Sequence, residues 1–454
     1  VIVIKFGGTS VGNADRVAEA IDIVVARRHL RPIVVVSALA GVTDALVAAA
    51  DAARAQQPEV AASIIADVRR KHEDVGLRLI QQRQDFFDAF VAQLSKQIEE
   101  VNVILKGFAY LGEITPRGAD RIMSIGEKFS SVLFAYTLMM RAPAEHVHSE
   151  TVVITDDNFG SATPDMDATT AAATEALLPI VERGHIPVMG GFIGRTPAGA
   201  TTTLGRNGSD YSAAIVAAAV GAKEVQIWTD VDGLLTCDPR LVPGAHVIDH
   251  ISFDEAAELA QFGAKLHPRT LEPAMTANIP VRVLNTHNPS SPGTVITRTP
   301  DASAGPRSIA RKRNVTMVHV TSNKMLGAHG FLARLFNVFE KLGISVDLIA
   351  TSEVSVSVTV DERQNMEELE RKLHEIAESV EMLDNQCIIA IVGQNLMADS
   401  RVGARILGAL DGVGVKMISL GRSGLNLSIV VDDAEADGAV RAIHNALFET
   451  PVTV

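Results

Sequence analysis

The first side chain placed to do chemistry is Lys5, in the opening run VIVIKFGGTS. Val1 to Ile4 show no polar alternation, as expected of a strand buried on both faces of a helix-covered parallel sheet, and the carboxyl end of such a strand is where ligands bind. Gly7 and Gly8 let backbone N–H groups come close to an anion. Ser10 or Asn13 is placed to cap a helix through Val17–Ala26, whose N-terminus adds partial positive charge, and Lys5 supplies a full one. A strand end with a snorkelling surface lysine fits the same residues. The spacing matches neither G-x-x-x-x-G-K-[ST] nor G-x-G-x-x-G, so it supports neither a Walker loop nor a dinucleotide fingerprint.

Three later stretches carry further candidates. In TTTLGRNGSDYSAA, residues 201–214, Asn207-Gly208 marks a turn and Ser209 or Asp210 suits an N-cap. Capping alone would account for Asp210, but it leaves Arg206, whose guanidinium on a glycine-flanked loop suits bidentate capture of a carboxylate. In WTDVDGLLTCDPR, residues 228–240, Asp232-Gly233 and Asp238-Pro239 read as turns, which leaves Arg240 for another role. FGAKLHPRT, residues 262–270, offers Lys265, His267 and Arg269 ahead of Pro273.

These segments are positioned by alternating elements. Strands are expected at Pro32–Ser37, Ala144–His148, His185–Ile193, Val225–Thr229 and Val281–Leu284 with Ala- and Leu-rich helices between them, the signature of an open α/β sheet. Thr43–Gly112 consists of helix formers with interspersed charges and reads as a helical insertion beside that sheet. RTPDASAGPRSIARKR then mixes Pro, Gly, Ser and basic residues as a linker would. Beyond it two series follow in the same order β-α-β-β-α. Val315–Val320, Gly330–Leu342, Ile344–Ala350, Val354–Val360 and Met366–Ser379 form the first; Cys387–Val392, Val402–Leu410, Val415–Ser419, Leu425–Val431 and Ala434–Phe448 form the second. This is an internal duplication of a ferredoxin-like module.

Composition narrows the function classes. A chain of 454 residues that is 47% hydrophobic exceeds one core and should form two to four domains. A net charge of −13 with one Trp and three Tyr excludes a nucleic-acid groove with a stacking platform, so an anionic ligand needs a local basic cluster. Cys237 and Cys387 lie too far apart in sequence for a metal motif and make no disulfide framework, which favours a reducing compartment. The apolar stretch near Ala213–Ala222 is too short to span a membrane, and no secretory leader precedes the first strand, so the expected location is cytoplasmic.

Taken together, KFGGTSV at 5–11, SALAGVTD at 37–44, SIGE at 124–127, GFIG at 191–194, TTTLGRNGSDY at 201–211, WTDVDG at 228–233 and FGAK with HP at 262–268 resemble the aspartate kinases of the amino acid kinase superfamily. The resemblance spans essentially the whole chain. It implies an amino acid kinase-like domain over 1–297 with a helical insertion at about 45–112, a linker at 298–313, and ACT modules at 314–384 and 385–454. The implied activity is phosphorylation of the L-aspartate β-carboxylate by ATP with Mg2+, the first step of the aspartate-family amino acid pathway. By matching motif, Lys5 neutralises charge on the transferring phosphoryl group, and Gly7 and Gly8 cradle it. Arg206 grips the substrate α-carboxylate, Glu127 with Asp210 faces its ammonium, and Ser37 and Thr43 line the same pocket. Thr229, Asp230, Arg240 and Lys265 resemble nucleotide residues, with no dedicated metal ligands. Leu235 replaces a tyrosine of some relatives, which implies aliphatic contacts to the base, and GAKLHP is one residue shorter than the usual segment around Lys265. No general base is needed, because a carboxylate with pKa about 4 is already ionised at neutral pH.

Residues 325–361 resemble the ACT modules of lysine-inhibited aspartate kinases. The effector pocket implied comprises Met325, Ala328, Gly330, Phe331, Leu332, Ser345, Val346, Asp347, Thr351, Ser352 and Glu353. Two carboxylates near a helix start suit the two cations of lysine, with threonine the other candidate effector. Exposed sheet edges favour a homodimer or homotetramer through the C-terminal half. The remaining alternatives are a glutamate- or N-acetylglutamate-type kinase, or a non-catalytic amino-acid sensor.

Overall fold

A computed structural model describes residues 1–263, 268–299, 305–326, 329–361, 364–396, 398–421 and 423–449. The chain divides into two compact bodies, one of Val1–Leu234, Asp249–Phe253 and Leu266–Pro300, the other of Leu235–Ile248, Asp254–Lys265 and Asp301–Val454.

Up to residue 300 the elements run β1 (Ile2–Phe6), α1 (Ala14–Ala26), β2 (Pro32–Val36), α2 (Val42–Arg54), α3 (Pro58–Ile80), α4 (Gln84–Leu111), α5 (Pro116–Met123), α6 (Ile125–Met139), β3 (Ala144–His146), α7 (Met166–Glu182), β4 (Ile186–Gly190), β5 (Ile193–Arg195), β6 (Thr201–Thr203), α8 (Gly208–Val220), β7 (Val225–Thr229), β8 (His250–Ser252), α9 (Phe253–Gln261), α10 (Pro268–Thr276), β9 (Val281–Asn285) and β10 (Thr294–Thr297). Eight strands form one sheet in the order β3-β4-β2-β1-β7-β9-β10-β8. All neighbours are parallel except the β9–β10 pair. β1, β2 and β4 are buried along their whole lengths, which is why their sequences carry runs of apolar residues rather than alternation. The helical insertion consists of α2, α3 and α4. In α4 the buried residues Phe90, Leu94, Ile98, Val101, Leu105 and Phe108 recur every three or four positions and join the core that holds Ile4 and Phe6. Each such side chain contributes about 1.5–3 kcal/mol by leaving water.

The strand expected over His185–Ile193 is broken. β4 ends at Gly190, Phe192 has a left-handed φ of 66°, and β5 pairs with β6 as a separate hairpin. The cause is packing, since a Cβ on Gly191 would lie 2.6 Å from the Cβ of Ser209 at the start of α8.

The second body continues with β11 (Gly305–Thr321), α11 (Phe331–Leu342), β12 (Leu348–Thr351), β13 (Ser355–Val360), α12 (Met366–His374), β14 (Ser379–Gln394), α13 (Ser400–Gly408), β15 (Met417–Leu420), β16 (Asn426–Asp432) and α14 (Asp433–His444). Its strands form one antiparallel sheet in the order β12-β13-β11-β14-β16-β15. Two ferredoxin-like units therefore share two long strands. Val315–Thr321 pairs with β13 and with the first part of β14, whereas Gly305–Lys312 pairs with Ile388–Gln394. The fourth strand of the second unit thus precedes both units in the chain.

This corrects the expected linker at 298–313, which is strand from Gly305 onward. Ile309, 2% exposed, packs with Ile389, Ile391, Leu427 and Ile429. Surrounded by Arg and Lys, it offered no period to read. Ile309→Ala should therefore cost about 2–4 kcal/mol, against less than ~0.5 for a residue in a solvated linker. The measurement is the urea midpoint together with amide exchange across Ile388–Val392; an unchanged midpoint would contradict the strand assignment.

Candidate active site

Strand alternation sends Ile2, Ile4 and Phe6 into the core shared with the inserted helices, so Lys5 projects to the opposite face, where α8 packs on β1. There its Nζ lies 2.5 Å from Oδ1 of Asp210, with both side chains at most one-tenth exposed. Ser209 and Asp210, expected as N-caps, are instead the second and third residues of α8. The cap position falls to Asn207, left-handed at φ 56° and making no side-chain cap bond. The Asp210 carboxylate is thereby left for Lys5. Asn13 caps α1 by accepting from the N–H of Arg16.

Lys5 and Asp210 line a cavity of about 650 Å3 together with Gly8, Ser37, Thr43, Glu127 and Arg206. Six of the expected substrate and phosphoryl positions, plus one of the two glycines, therefore meet in one place. The other glycine, Gly7, adjoins it: its N–H donates to the carbonyl of Trp228 at 3.3 Å, and a Cβ there would sit 3.5 Å from Lys5 Nζ.

The charges in this cavity differ in their surroundings. Glu127, in the first turn of α6, is 5% exposed; burial, opposed by the N–H of Ala38 and by Lys5, pushes its carboxyl up to about 8. Its Oε2 has no hydrogen-bond partner among the described residues. Arg206 is exposed at the cavity wall and makes no ion pair among the described residues. Ser130 Oγ donates to the carbonyl of Ser37 at 2.7 Å and ties the end of β2 to α6.

Other expected positions lie elsewhere. Thr229 and Asp230 sit at the carboxyl end of β7, beside β1, where the Thr229 hydroxyl donates to Asp230 at 3.1 Å; neither lines the cavity. Leu235 and Arg240 belong to the other body, where Arg240 is exposed and paired with Asp238 at 2.8 Å. Lys265 lies outside the described residues, as does Ala328.

In the second body Met325, Gly330, Phe331, Leu332, Ser352 and Glu353 line a cavity of about 590 Å3 at the start of α11. Ser345, Val346, Asp347 and Thr351 do not. Asp347 is held by Lys312 at 2.8 Å, and the same ammonium also pairs with Asp361.

Sequence reasoning missed Asp44, Met123, Phe192, Asn207 and Ser209 in the first cavity wall. It also missed Asp120, buried behind that wall. Asp120 sits on α5 and Glu127 on α6, with Ser124 between the two helices, so no single helical face joined them in the sequence and no local signal singled out Asp120.

The chain is similar to known proteins along its whole length. Residues 1–285 match the amino acid kinase family, and residues 318–375 and 389–447 match the ACT domain. The chain is 40% identical over 472 residues to chloroplastic aspartokinase 3 of Arabidopsis thaliana, covering 99% of this chain and 82% of that one. It is 36% identical to lysine-sensitive aspartokinase 3 of Escherichia coli, covering 99% of both. Two solved structures of E. coli aspartokinase III superpose over 99% of this chain at 36% identity. The complex with lysine and aspartate, in the T-state, has a TM-score of 0.84 and covers 99% of that chain; the complex with aspartate and ADP, in the R-state, has 0.81 and covers all of it. A shared fold, the match to the amino acid kinase and ACT families and identity along the full length place this chain in the aspartokinase family.

Proposed function

We propose that the chain transfers the γ-phosphoryl group of ATP to the β-carboxylate of L-aspartate. One observation carries the reading: a single cavity presents a guanidinium and a buried carboxyl oxygen that have no partner among the described residues, and a lysine beside an aspartate. Arg206 suits the α-carboxylate, Glu127 with Asp210 the α-ammonium, and Lys5 the junction of β-carboxylate and γ-phosphate. Ser37 and Thr43 supply hydroxyls to the same substrate.

In the reaction a β-carboxylate oxygen forms a bond to the γ-phosphorus while the bond from that phosphorus to the β,γ-bridging oxygen breaks. ADP leaves with the electron pair, and the product is 4-phospho-L-aspartate. No proton has to move. The obstacle is repulsion between anions, so catalysis consists of positioning and positive charge. Gly7 and Gly8 with Lys5 would receive the phosphoryl group, and Thr229 and Asp230 would face the rest of the nucleotide. The adjacency of β1 and β7 at the carboxyl edge of the sheet supports a nucleotide there.

Among the described residues no group of three or more His, Cys, Asp or Glu side chains could hold a metal ion. Mg2+ fits as an ion that arrives on the nucleotide and needs only one or two carboxylates, for which Asp44 lines the cavity. When bound it would neutralise phosphate charge.

Lysine is the proposed effector, bound at the α11 cavity with Glu353 facing an ammonium and the helix start facing the carboxylate. Ser345 to Asp347 have no place in the cavity of their own chain and would come from a second copy in a dimer built through the C-terminal sheet. The exposed apolar side chains Leu326, Leu332 and Ile349 support such pairing. No helix among the described residues is long and apolar enough to cross a membrane, and a cytoplasmic location is the accompanying proposal.

Aspartate-dependent ADP release is the primary test, and its absence would overturn the reading. Arg206→Ala should raise KM for aspartate about 10- to 100-fold, the worth of a charge-assisted bidentate contact. Lys5→Met should lower kcat by at least about 10²–10³, and near-normal kcat would remove its role.

Glu127 gives a prediction with a sign. With its carboxyl near 8 it is mostly protonated at pH 7, and the substrate ammonium requires the carboxylate. Aspartate binding should therefore release close to one proton at pH 7 and almost none at pH 9, as read by calorimetry in buffers of different ionisation heat. The Glu127→Gln variant should release none at either pH.

Glu353→Ala should keep its basal rate and need at least about 10-fold more lysine for half-inhibition, within the range of allosteric coupling energies. Equal sensitivity would place the effector elsewhere.

A further inference from the structure

Asp120 lies on α5 and has no exposed surface, and no part of the proposed reaction uses it. One carboxylate oxygen accepts from the backbone N–H of Gly160 at 3.0 Å and of Thr203 at 2.8 Å. The other accepts from the Thr203 hydroxyl at 2.8 Å. All three donors are neutral, and they come from two separate segments. Gly160 belongs to a loop of the cavity wall, and Thr203 is the last residue of β6, three positions before Arg206.

The two segments also bear on each other. The N–H of Ala162 donates to the carbonyl of Thr203 at 2.9 Å. Gly205, left-handed at φ 79°, passes so close that a Cβ there would lie 3.1 Å from the carbonyl oxygen of Gly160. The backbone that carries Arg206 therefore rests on the Gly160 loop, and one buried carboxylate holds both. Met123, one turn after Asp120 on α5, lines the same wall. Among the described residues no side chain tethers the Arg206 guanidinium, so its position there depends on its backbone.

We infer that Asp120 is a positioning residue that sets the pose of Arg206 and hence the affinity for the carboxylate of the substrate. The inference rests on the assignment of Arg206 to that carboxylate. Asp120 touches neither substrate nor nucleotide, so its loss acts on aspartate binding far more than on the phosphoryl step. An asparagine preserves the clamp: its oxygen accepts both backbone N–H groups, and its amide donates to the Thr203 hydroxyl, which accepts as well as donates. The shape of the site, rather than its charge, is what matters.

The test is steady-state kinetics on the full chain with Asp120→Ala, Asp120→Asn, Arg206→Ala and the double variant D120A/R206A. Asp120→Ala should raise KM for aspartate by about 10-fold or more, with kcat within about 3-fold and KM for ATP within about 2-fold of the parent. Asp120→Asn should restore the parent value. In the double variant KM for aspartate should be that of Arg206→Ala alone, because a residue acting through Arg206 has nothing left to act on. Multiplying effects, or equal losses in kcat and both KM values, would reduce Asp120 to a general stabiliser and overturn the inference. If Arg206→Ala leaves KM for aspartate unchanged, the substrate assignment itself falls and takes the inference with it. Should Asp120→Ala fail to fold, Thr203→Val removes only the hydroxyl donor and should shift the same KM in the same direction; an unchanged KM overturns the inference.

Discussion

The Lys5–Asp210 ion pair is the contact on which the site depends. Taking an ammonium and a carboxylate out of water costs several kcal/mol each, and their attraction offsets this only when they meet in good geometry. Here they meet at 2.5 Å because a doubly buried strand delivers one and the first turn of a packed helix delivers the other. The arrangement keeps a cation inside the cavity wall without leaving its charge uncompensated. It also keeps the nearby Glu127 carboxyl distinct, since that group is buried away from water and Lys5 opposes its burial only weakly.

Close backbone approaches make this possible. α6 sits against the loop after β2, where a Cβ on Gly126 would fall 2.8 Å from the Cβ of Ala38, and α8 sits against Gly191 at the end of β4. Small residues at these crossings let two helix starts converge on one strand end, and each start adds its own partial positive charge. Asp120 extends the same logic to the hairpin that carries Arg206.

The second body is organised by two strands that each serve two units. β11 and β14 change register where Lys312 gives way to Val315, and Asn314 and Asn385 both take left-handed φ values near that point. Asparagine tolerates this conformation, so the sheet bends there without breaking. The segments Leu235–Ile248 and Asp254–Lys265 belong to this body although the chain on both sides of each belongs to the first. Within it Glu258 accepts from Asn426 at 3.0 Å, and Phe262 packs on Met317, Ile388 and Val430, so the end of α9 is anchored on the antiparallel sheet.

The order of residues alone determined the β/α alternation, the helical insertion, the duplicated C-terminal unit and most of the cavity, because apolar period, glycine turns and motif spacing are local properties of a chain. Lys5 and Arg206 were legible in that way, and Ser37, Thr43, Glu127 and Asp210 through the resemblance of their motifs to those of the aspartate kinases. Tertiary structure alone decided that Asp210 pairs with Lys5 rather than capping its own helix, that Asp347 is taken up by Lys312, that a basic stretch resembling a linker is the missing strand of a distant unit, and that Asp120 holds Thr203 and Gly160. Each of these is a choice of partner for a polar group or a strand edge among residues far apart in sequence. Such choices follow from which surfaces pack together, and no local pattern carries that information.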